Sequence, residues 1–318
     1  MKSTYKFFLF FSLLLLQNSC AQNTKKQDTM STEYRDKIKN IYKNVKSYDY
    51  NPIYQVRYDK FNCPLEIYVN DILVIYLPDS GKSAGEQHID IPEYILKSGL
   101  QSIKVKIYPL LDKSKNFEKF VSRDAKLKLR VVYGDYEREL KNWDNFKEVM
   151  KADLPKIDKN LPFIELEGKF TATVPYTLEG WSKGIDLSKE DPEKLEAEVK
   201  GRMNEIADLY RNKDIEGLAK EQYNRLKEID QAFYFTTKEN TAEWESQLQE
   251  ALNESKSLEL LDGKMKIMAD GKLVTILVTD GSFRNQSIIR SRVDGGYSDF
   301  YSQYFYRPSP GAKLEIIR

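Results

Sequence analysis

Few side chains in this sequence could serve as a nucleophile, a general base or a metal ligand. His88 is its single histidine, in the run EQHIDIP, and its two cysteines are Cys20 and Cys63. A Ser-His-Asp or Cys-His arrangement is built around a histidine, so His88 alone would have to serve it. Zinc sites draw on several histidine and cysteine side chains. The sequence therefore predicts no catalytic residue, no metal site and no cofactor, and leaves paired carboxylates as the remaining candidates for acid–base chemistry.

Two other stretches contain residues that can be reactive, and we interpret both as structural. DSGKSAGE contains Gly81-Lys82-Ser83, but a P-loop needs another glycine at a fixed distance upstream and a strand that leads into a helix. A solvated hairpin loop fits this stretch better. Cys63, in FNCPLEIYVND, stands where a small buried residue is expected. With Cys20 assigned elsewhere, Cys63 has no disulfide partner within the chain.

The residues best suited to binding a partner cluster near the C-terminal end of the sequence. Arginine and tyrosine dominate the energetics of many protein interfaces. The runs SIIRSRV and YSDFYSQYFYRP contain the densest set, which is Arg290, Arg292, Tyr301, Tyr304, Tyr306 and Arg307. In one continuous strand, Asp299 and Tyr301 would share a face, and Tyr304 would lie on the other. These side chains could line a polar pocket or form a solvent-facing ladder, and we favour the ladder.

The elements that must position these residues change period along the chain. From Asn51 to about residue 178, apolar side chains recur at every second position, and Asn70-Asp71 has the composition of a turn. We predict an antiparallel Ig-like β-sandwich with one wet face over residues 33–178. It includes an amphipathic N-terminal helix docked on it and a short helix around NWDNFKEVMKADLP. The predicted strands include YQVRY, LEIYV, ILVIYL, SIKVKIY, KLKLRVVY and KFTATVP.

Residues 179–190 are predicted to link this sandwich to a second domain over residues 191–318. Trp181 lies just inside the linker, where it could bind a partner or seal the contact between domains, and we favour the seal. Asp191-Pro192-Glu193 is a helix start signal. Further helices are expected to begin at Asp214 and after a cap at Thr241. Hairpin turns are expected at Asp262-Gly263 and Asp270-Gly271.

The second domain is therefore expected to be α+β, with helices packed on a curved antiparallel sheet. This order of elements is similar to that of the NTF2-like, cystatin-related cone. The run RNKDIEGLA resembles the hinge between the first helices of that family, and GAKLEIIR resembles its closing strand. Members of the family often place polar side chains inside the cone, so the resemblance implies a pocket near Asp299 and Tyr301.

The N-terminal run FFLFFSLLLLQNSCAQNTKK has the pattern of a secretory signal. Its apolar part is roughly ten residues long, where a membrane-spanning helix needs about 20. Ser19-Cys20 resembles the lipobox of bacterial lipoproteins, in a loose form like those of Bacteroidota, with Gln17 in place of the usual aliphatic residue. The resemblance implies a signal peptide over residues 1–19, acylation of Cys20 and a polar tether over residues 20–32. By resemblance to known lipoprotein sorting signals, the absence of an acidic run after Cys20 implies the periplasmic side of the outer membrane.

Composition limits the classes of partner. The sequence has 50 basic and 49 acidic side chains, and loss of Lys2 and Lys6 with the signal would leave a net charge near −1. This near-neutral net charge gives no reason to expect nucleic acid as a partner. We therefore predict a lipid-anchored, non-enzymatic protein that binds another protein, with a toxin-neutralising immunity lipoprotein as the specific hypothesis. An envelope assembly factor or lipid or glycan carrier, and a carboxylate-dependent hydrolase, are the alternatives.

Overall fold

Eight strands form two four-stranded antiparallel sheets in the first half of the chain. In the computed structural model, the described residues are 32–78, 85–114, 116–139, 145–254, 257–279, 283–292 and 298–318. The sheet orders are β4-β1-β6-β7 and β3-β2-β5-β8. The strands are β1 Pro52–Phe61, β2 Leu65–Val69, β3 Ile72–Leu77, β4 Gln87–Asp90, β5 Gly99–Ile107, β6 Lys126–Asp135, β7 Lys147–Lys151 and β8 Ile164–Ala172.

Side chains from both sheets meet in one hydrophobic cluster, which accounts for the alternation in the sequence. Along β5, Ile103, Val105 and Ile107 are buried, whereas Leu100 and Ser102 are exposed. The predicted turn at Asn70-Asp71 is confirmed, since both residues have positive φ and join β2 to β3. The face of the sandwich that we expected to be exposed to solvent is only partly exposed, however. All five residues of β2 are buried because elements of the second half of the chain cover its outer side.

The helix predicted around NWDNFKEVMKADLP is wrong within the described residues. The strand β7 occupies residues 147–151 and pairs with β6, while residues 140–144 lie outside the described part. Val149 and Met150 are half-buried against the main cluster, and their packing there overrides a weak helical pattern. The one helical turn nearby is α2, Tyr136–Glu139, directly after β6.

The N-terminal helix packs on other helices and not on the sandwich, where we expected it. This helix, α1, spans Glu33–Lys39 and is followed by a 3₁₀ turn at Ile41–Asn44. Ile38 and Ile41 are buried against Ala219 in a separate small cluster. The backbone N–H groups of Tyr34 and Arg35 donate to the carboxylate of Glu216. The small side chain of Ala219 leaves room for the apolar face of α1.

The three long helices of the second half are α3 Pro192–Arg211, α4 Ile215–Ala232 and α5 Lys238–Glu254. The predicted starts of α3 and α4 are confirmed. Asp191 accepts hydrogen bonds from the N–H groups of Glu193 and Lys194, and Asp214 accepts one from Gly217. The third start is wrong: α5 begins three residues before Thr241, at Lys238.

The strands of the second half form two antiparallel sheets and not one curved sheet. Their orders are β10-β11-β14-β15 and β13-β12-β9. The hairpin turn at Asp270-Gly271 is confirmed between β10 and β11. Asp262-Gly263 is not a hairpin turn, because β9 and β10, on either side of it, lie in different sheets. The strands are β9 Ser257–Leu260, β10 Lys264–Met268, β11 Leu273–Leu277, β12 Ile289–Arg292, β13 Ser298–Phe300, β14 Phe305–Tyr306 and β15 Glu315–Ile316.

The fold is thus α+β, and Thr32–Arg318 form one compact unit. The predicted signal peptide, most of the tether, Cys20 and Gly81-Lys82-Ser83 lie outside the described residues. Within the described part, no helix has both the length and the apolar character needed to cross a membrane.

Candidate binding cleft

An open cleft of about 540 Å³ lies where two hairpin turns approach each other. One wall is formed by the turn between β2 and β3 and by residues 96–102, which include the start of β5. The opposite wall is formed by the turn between β10 and β11 and by the loop around Trp181. The lining residues include Asn70, Asp71, Tyr94, Lys97, Leu100, Gln101, Lys169, Trp181, Ser182, Asp270 and Lys272. We call this feature the junction cleft.

Asn70 holds the first wall of the junction cleft in place. Its amide nitrogen donates to the carbonyl of Tyr94 at 2.8 Å and to the side-chain oxygen of Gln101 at 2.7 Å. Its side-chain oxygen accepts from the N–H of Ser102 at 3.0 Å. The Gln101 amide in turn donates to the carbonyl of Gly99. Because these amides are satisfied internally, the wall is preorganised before a ligand arrives.

The turn between β10 and β11 holds the second wall. Ala269 and Asp270 have φ of 54° and 52°, and Gly271 has φ of 88°. The carbonyl of Gly271 accepts a hydrogen bond from the N–H of Leu187 at 2.8 Å. A Cβ on Gly271 would lie 2.2 Å from a carboxylate oxygen of Asp186. A side chain at this position would therefore push the turn away from the segment that precedes α3.

Trp181 lines the cleft and is only 6% exposed. The guanidinium of Arg318 lies 4.9 Å from the centre of its ring. Arg318 is itself held by the carboxylate of Glu228 and the carbonyl of Glu93. Trp181 thus packs among residues from both halves of the chain. Only the part of the residue that lines the cleft could contact a ligand.

The rim of the cleft combines an exposed apolar side chain with cationic groups. Leu100 is 66% exposed. Lys97 and Lys169 are exposed and form no ion pair with any side chain in the described part of the chain, whereas Asp71 is engaged by Lys104. An exposed leucine beside unpaired ammonium groups suits an acidic partner segment with an apolar residue.

The predicted binding residues do not come together in one surface. Arg290 and Arg292 share one side of β12, as alternation predicts, and both bind the carboxylate of Glu259. Arg290 is buried, whereas the side chain of Arg292 is 61% exposed. The ladder is therefore a three-residue ionic cluster in which only Arg292 projects into solvent.

The run that contains Tyr301, Tyr304, Tyr306 and Arg307 is not one strand, because residues 301–304 separate β13 from β14. The ring of Tyr301 stacks on that of Tyr210, with 4.0 Å between centroids. The hydroxyl of Tyr304 donates to the carbonyl of Leu73. Tyr306 is half-buried, with its hydroxyl 3.5 Å from Glu315. These three tyrosines are engaged within the fold.

Arg307 is 5% exposed and forms paired hydrogen bonds with Glu190 and with Glu198. This doubly bidentate arrangement ties β14 to the start of α3, and hydrogen-bonding by Glu198 raises the pKa of Arg307. Its geometry favours a structural role for the side chain. Its role in binding a partner stays a prediction.

A buried carboxylate that the sequence analysis did not single out joins the two halves. Glu66, 2% exposed, accepts hydrogen bonds from Tyr68 at 2.5 Å and Asn285 at 2.5 Å. Tyr108 donates to it at 2.9 Å and Arg284 lies 3.3 Å away. Lys266 donates to the Tyr68 hydroxyl at 2.8 Å. We call this set the Glu66 network.

Burial and hydrogen bonding have opposing effects on the pKa values within the Glu66 network. Burial alone would raise the pKa of Glu66, but hydrogen bonds from Tyr68 and Asn285 outweigh it and hold the pKa below its usual range. Burial lowers the pKa of Lys266. The sequence signal for this site was weak: an acid and an aromatic residue on the predicted wet face of β2.

The structure also shows where the remaining potentially reactive residues, Cys63 and His88, lie. Cys63 is fully buried, as predicted, and its sulfur lies 3.2 Å from the carbonyl of Lys126. His88 lies on β4 opposite Arg57. The described residues contain no group of three or more His, Cys, Asp or Glu side chains arranged to hold a metal ion.

Comparison with known proteins gave no match to a protein-family model, to a curated protein or to a solved structure.

Proposed function

We propose that this chain is a lipid-anchored, non-enzymatic binding protein on the periplasmic side of the outer membrane. In the specific form of the proposal, it is an immunity lipoprotein that neutralises a toxin delivered by competing bacteria. Cys20 would carry the lipid. The two sheets of the first half would form an Ig-like sandwich, and the second half would be related to the NTF2-like cone.

The observation that carries this proposal is the junction cleft. Its volume of about 540 Å³ lies within the range of ligand-binding pockets, which is roughly 300–1,000 Å³. Its walls are held by internal hydrogen bonds, which lowers the entropy lost on binding. A protruding loop of a partner protein would fit such an open cleft. The partner would place an apolar side chain against Leu100 and acidic groups near Lys97 and Lys169.

The environment of Glu66 favours a structural role for this buried acid over an acid–base role. A carboxylate that acts as a general acid needs a raised pKa and access to substrate. Glu66 is instead ionised and fully engaged by donors from both halves of the chain. This arrangement supports a structural role for the strongest acid–base candidate in the first half.

A competition experiment tests the function even when the toxin has not been identified. A strain that lacks this gene is mixed with its parent, and survival is counted after contact. If the protein confers immunity, the deletion strain should be outcompeted, and the wild-type gene should restore survival. Equal survival of the deletion strain would contradict the immunity hypothesis.

Variants then test the cleft as the binding surface. Leu100→Ser combined with Lys97→Glu and Lys169→Glu should fail to restore survival and should lose the partner in affinity capture. Phe163→Ser combined with Lys126→Glu and Lys128→Glu is the matched control, because Phe163 is 55% exposed and both lysines are exposed on the other sheet. Cys20→Ser should release the protein from membranes. A cleft variant that protects as well as wild type would place the binding surface elsewhere.

A further inference from the structure

A second cavity, of about 430 Å³, lies among three helices and apart from the junction cleft. The helices α1, α4 and α5 surround it. Apolar side chains form much of its wall, and the polar groups that reach it are acids and amides. The lining residues are Ile38, Leu226, Ile229, Asp230, Phe235, Glu239, Asn240, Glu243, Trp244 and Gln247. We call it the helical cavity.

Asp230 is the unusual member of this lining. The residue is 8% exposed, and its carboxylate receives no hydrogen bond or ion pair from the side chains that the structure describes. Its neighbours differ in this respect. Glu228 is bound by Arg318 and by the N–H of Gly180, and Glu245 is bound by Arg35 and Lys39. Burial without a partner raises the pKa of Asp230 to about 7.

The chemical character of the wall indicates what would complement this carboxylate. Glu239 and Glu243 are the other charged lining residues, and both are acidic. The rings of Phe235 and Trp244 can attract a cation through their faces. The aliphatic side chains of Ile38, Leu226 and Ile229 suit a short hydrocarbon chain.

We propose that the helical cavity binds an alkylammonium group, with the ammonium at Asp230 and the alkyl chain along the apolar wall. Binding would supply the counter-charge that this buried carboxylate lacks. A divalent metal ion fits less well, since Ca²⁺ takes six to eight oxygen ligands. The site is separate from the junction cleft, and the proposal goes beyond the binding function assigned above.

The ionisation of Asp230 makes this binding dependent on pH. On α1, the cations Arg35 and Lys39 flank Ile38 in the sequence and are held by Glu245 of α5. On α5, Glu239 and Glu243 face the cavity, and hydrogen bonds from its backbone N–H and from Thr237 hold the pKa of Glu239 below its usual range. Asp230 itself gains its charge between pH 6 and pH 8. Affinity for an alkylammonium should therefore rise about tenfold over that interval.

Calorimetric titration of the full chain in detergent tests the site. The probes are n-butylammonium, 1,4-diaminobutane and the neutral control n-butanol. At pH 8 the amines should bind at least about ten times more tightly than the alcohol, since a buried charge pair contributes well over 1.4 kcal/mol. Asp230→Asn should lose that preference. Asp262→Asn, which changes an exposed acid outside both cavities, should keep it.

Thermal melting shows whether the variant is folded, and Asp230→Asn should melt no lower than wild type at pH 8. Equal binding of butanol and butylammonium, or full retention of amine binding in folded Asp230→Asn, would overturn the proposal. A final arm identifies the source of the ammonium group. Tighter binding of N-acetyl-lysine methylamide than of the free amines would indicate a lysine side chain of a partner, and the reverse order would indicate a free amine.

Discussion

At the scale of the residue, two buried carboxylates show opposite electrostatic situations. Glu66 is surrounded by donors, whereas Asp230 has none among the described side chains. The sequence analysis predicted neither of these two buried environments. Glu66 stands on the polar side of an alternating strand, and Asp230 follows Ile229 on an amphipathic helix. Both look like surface acids until distant segments cover them: Lys266, Arg284 and Asn285 lie over the Glu66 network, and α1 approaches Asp230. Burial of Cys63, which depends on its own strand neighbours, was predictable.

Glu66→Gln is expected to lower the free energy of unfolding by about 3 kcal/mol at pH 7, because it leaves the half-buried side chains of Arg284 and Lys266 without their buried counter-ion. Urea denaturation measures the change. Glu165→Gln is the control, because its pairing with Lys106 is largely solvated, and the cost should be below about 0.5 kcal/mol.

The effect of Glu66 should also depend on pH in a defined direction. Its folded pKa is depressed, so its stabilisation is present above the unfolded value of about 4.5 and is lost as the pH falls through the folded value. The gap between wild type and Glu66→Gln should therefore narrow below pH 4.5. If the difference in free energy of unfolding stays constant from pH 7 to pH 3, Glu66 stabilises the fold through packing and not through its charge.

The substitution Asp230→Asn should change the free energy of unfolding in the opposite direction to Glu66→Gln. The raised pKa of Asp230 means that the folded state holds its proton more tightly, so the stability of wild type falls as the pH rises from about 4 to about 7. The variant lacks this penalty and should be more stable by about 2 to 4 kcal/mol at pH 8, with no gain at pH 4. Denaturation at both pH values checks this. A variant less stable than wild type at pH 8 would point to an unseen donor for Asp230.

At the scale of the element, the starts of helices could be predicted from adjacent residues, but the pairing of strands could not. The caps at Asp191 and Asp214 lie beside the helices that they start, so a few adjacent residues define them. The partner of β9 is β12, about 30 residues later, and nothing near Asp262-Gly263 indicates that choice. The run YSDFYSQYFY likewise reads as one strand, although its two ends join different sheets.

Asp191→Ala is expected to cost about 1 kcal/mol of stability, because two N–H groups at the start of α3 lose their acceptor. Asp191→Asn should stay within a few tenths of a kcal/mol of wild type, since asparagine caps helices equally well. Urea denaturation of both variants measures the effect. An equal loss in both would assign the stabilisation to the charge of Asp191 at the helix N-terminus and not to its hydrogen bonds.

At the scale of the whole molecule, the change from strands to helices between Ala172 and Pro192 was predictable from the change of period. The contacts that cross this boundary were not. The main hydrophobic cluster joins both sheets of the first half to Met268, Leu273 and Ile317. The hydrogen bond from Asn285 to Glu66 links residues 219 positions apart. Such contacts depend on how finished elements dock, which no local pattern encodes.

The predicted boundary can be tested by expressing residues 33–178 and 186–318 separately. We expect each fragment to melt cooperatively, because each keeps most of one hydrophobic cluster. Each should melt roughly 6–12 °C below the full chain, since loss of the Glu66 network alone removes about 3 kcal/mol. The full chain should melt in one transition by calorimetry, because the crossing contacts couple its halves.

The position of α1 supplies an internal control for this experiment. Because α1 packs on α4 and α5, a fragment of residues 46–178 should be as stable as 33–178, whereas deletion of residues 33–45 from the full chain should destabilise it. Two transitions in the full chain, at the temperatures of the isolated fragments, would show that the crossing contacts contribute little. If neither fragment folds, the boundary is misplaced, and the buried contacts of Glu66, Trp181 and Arg318 are required for both halves to form.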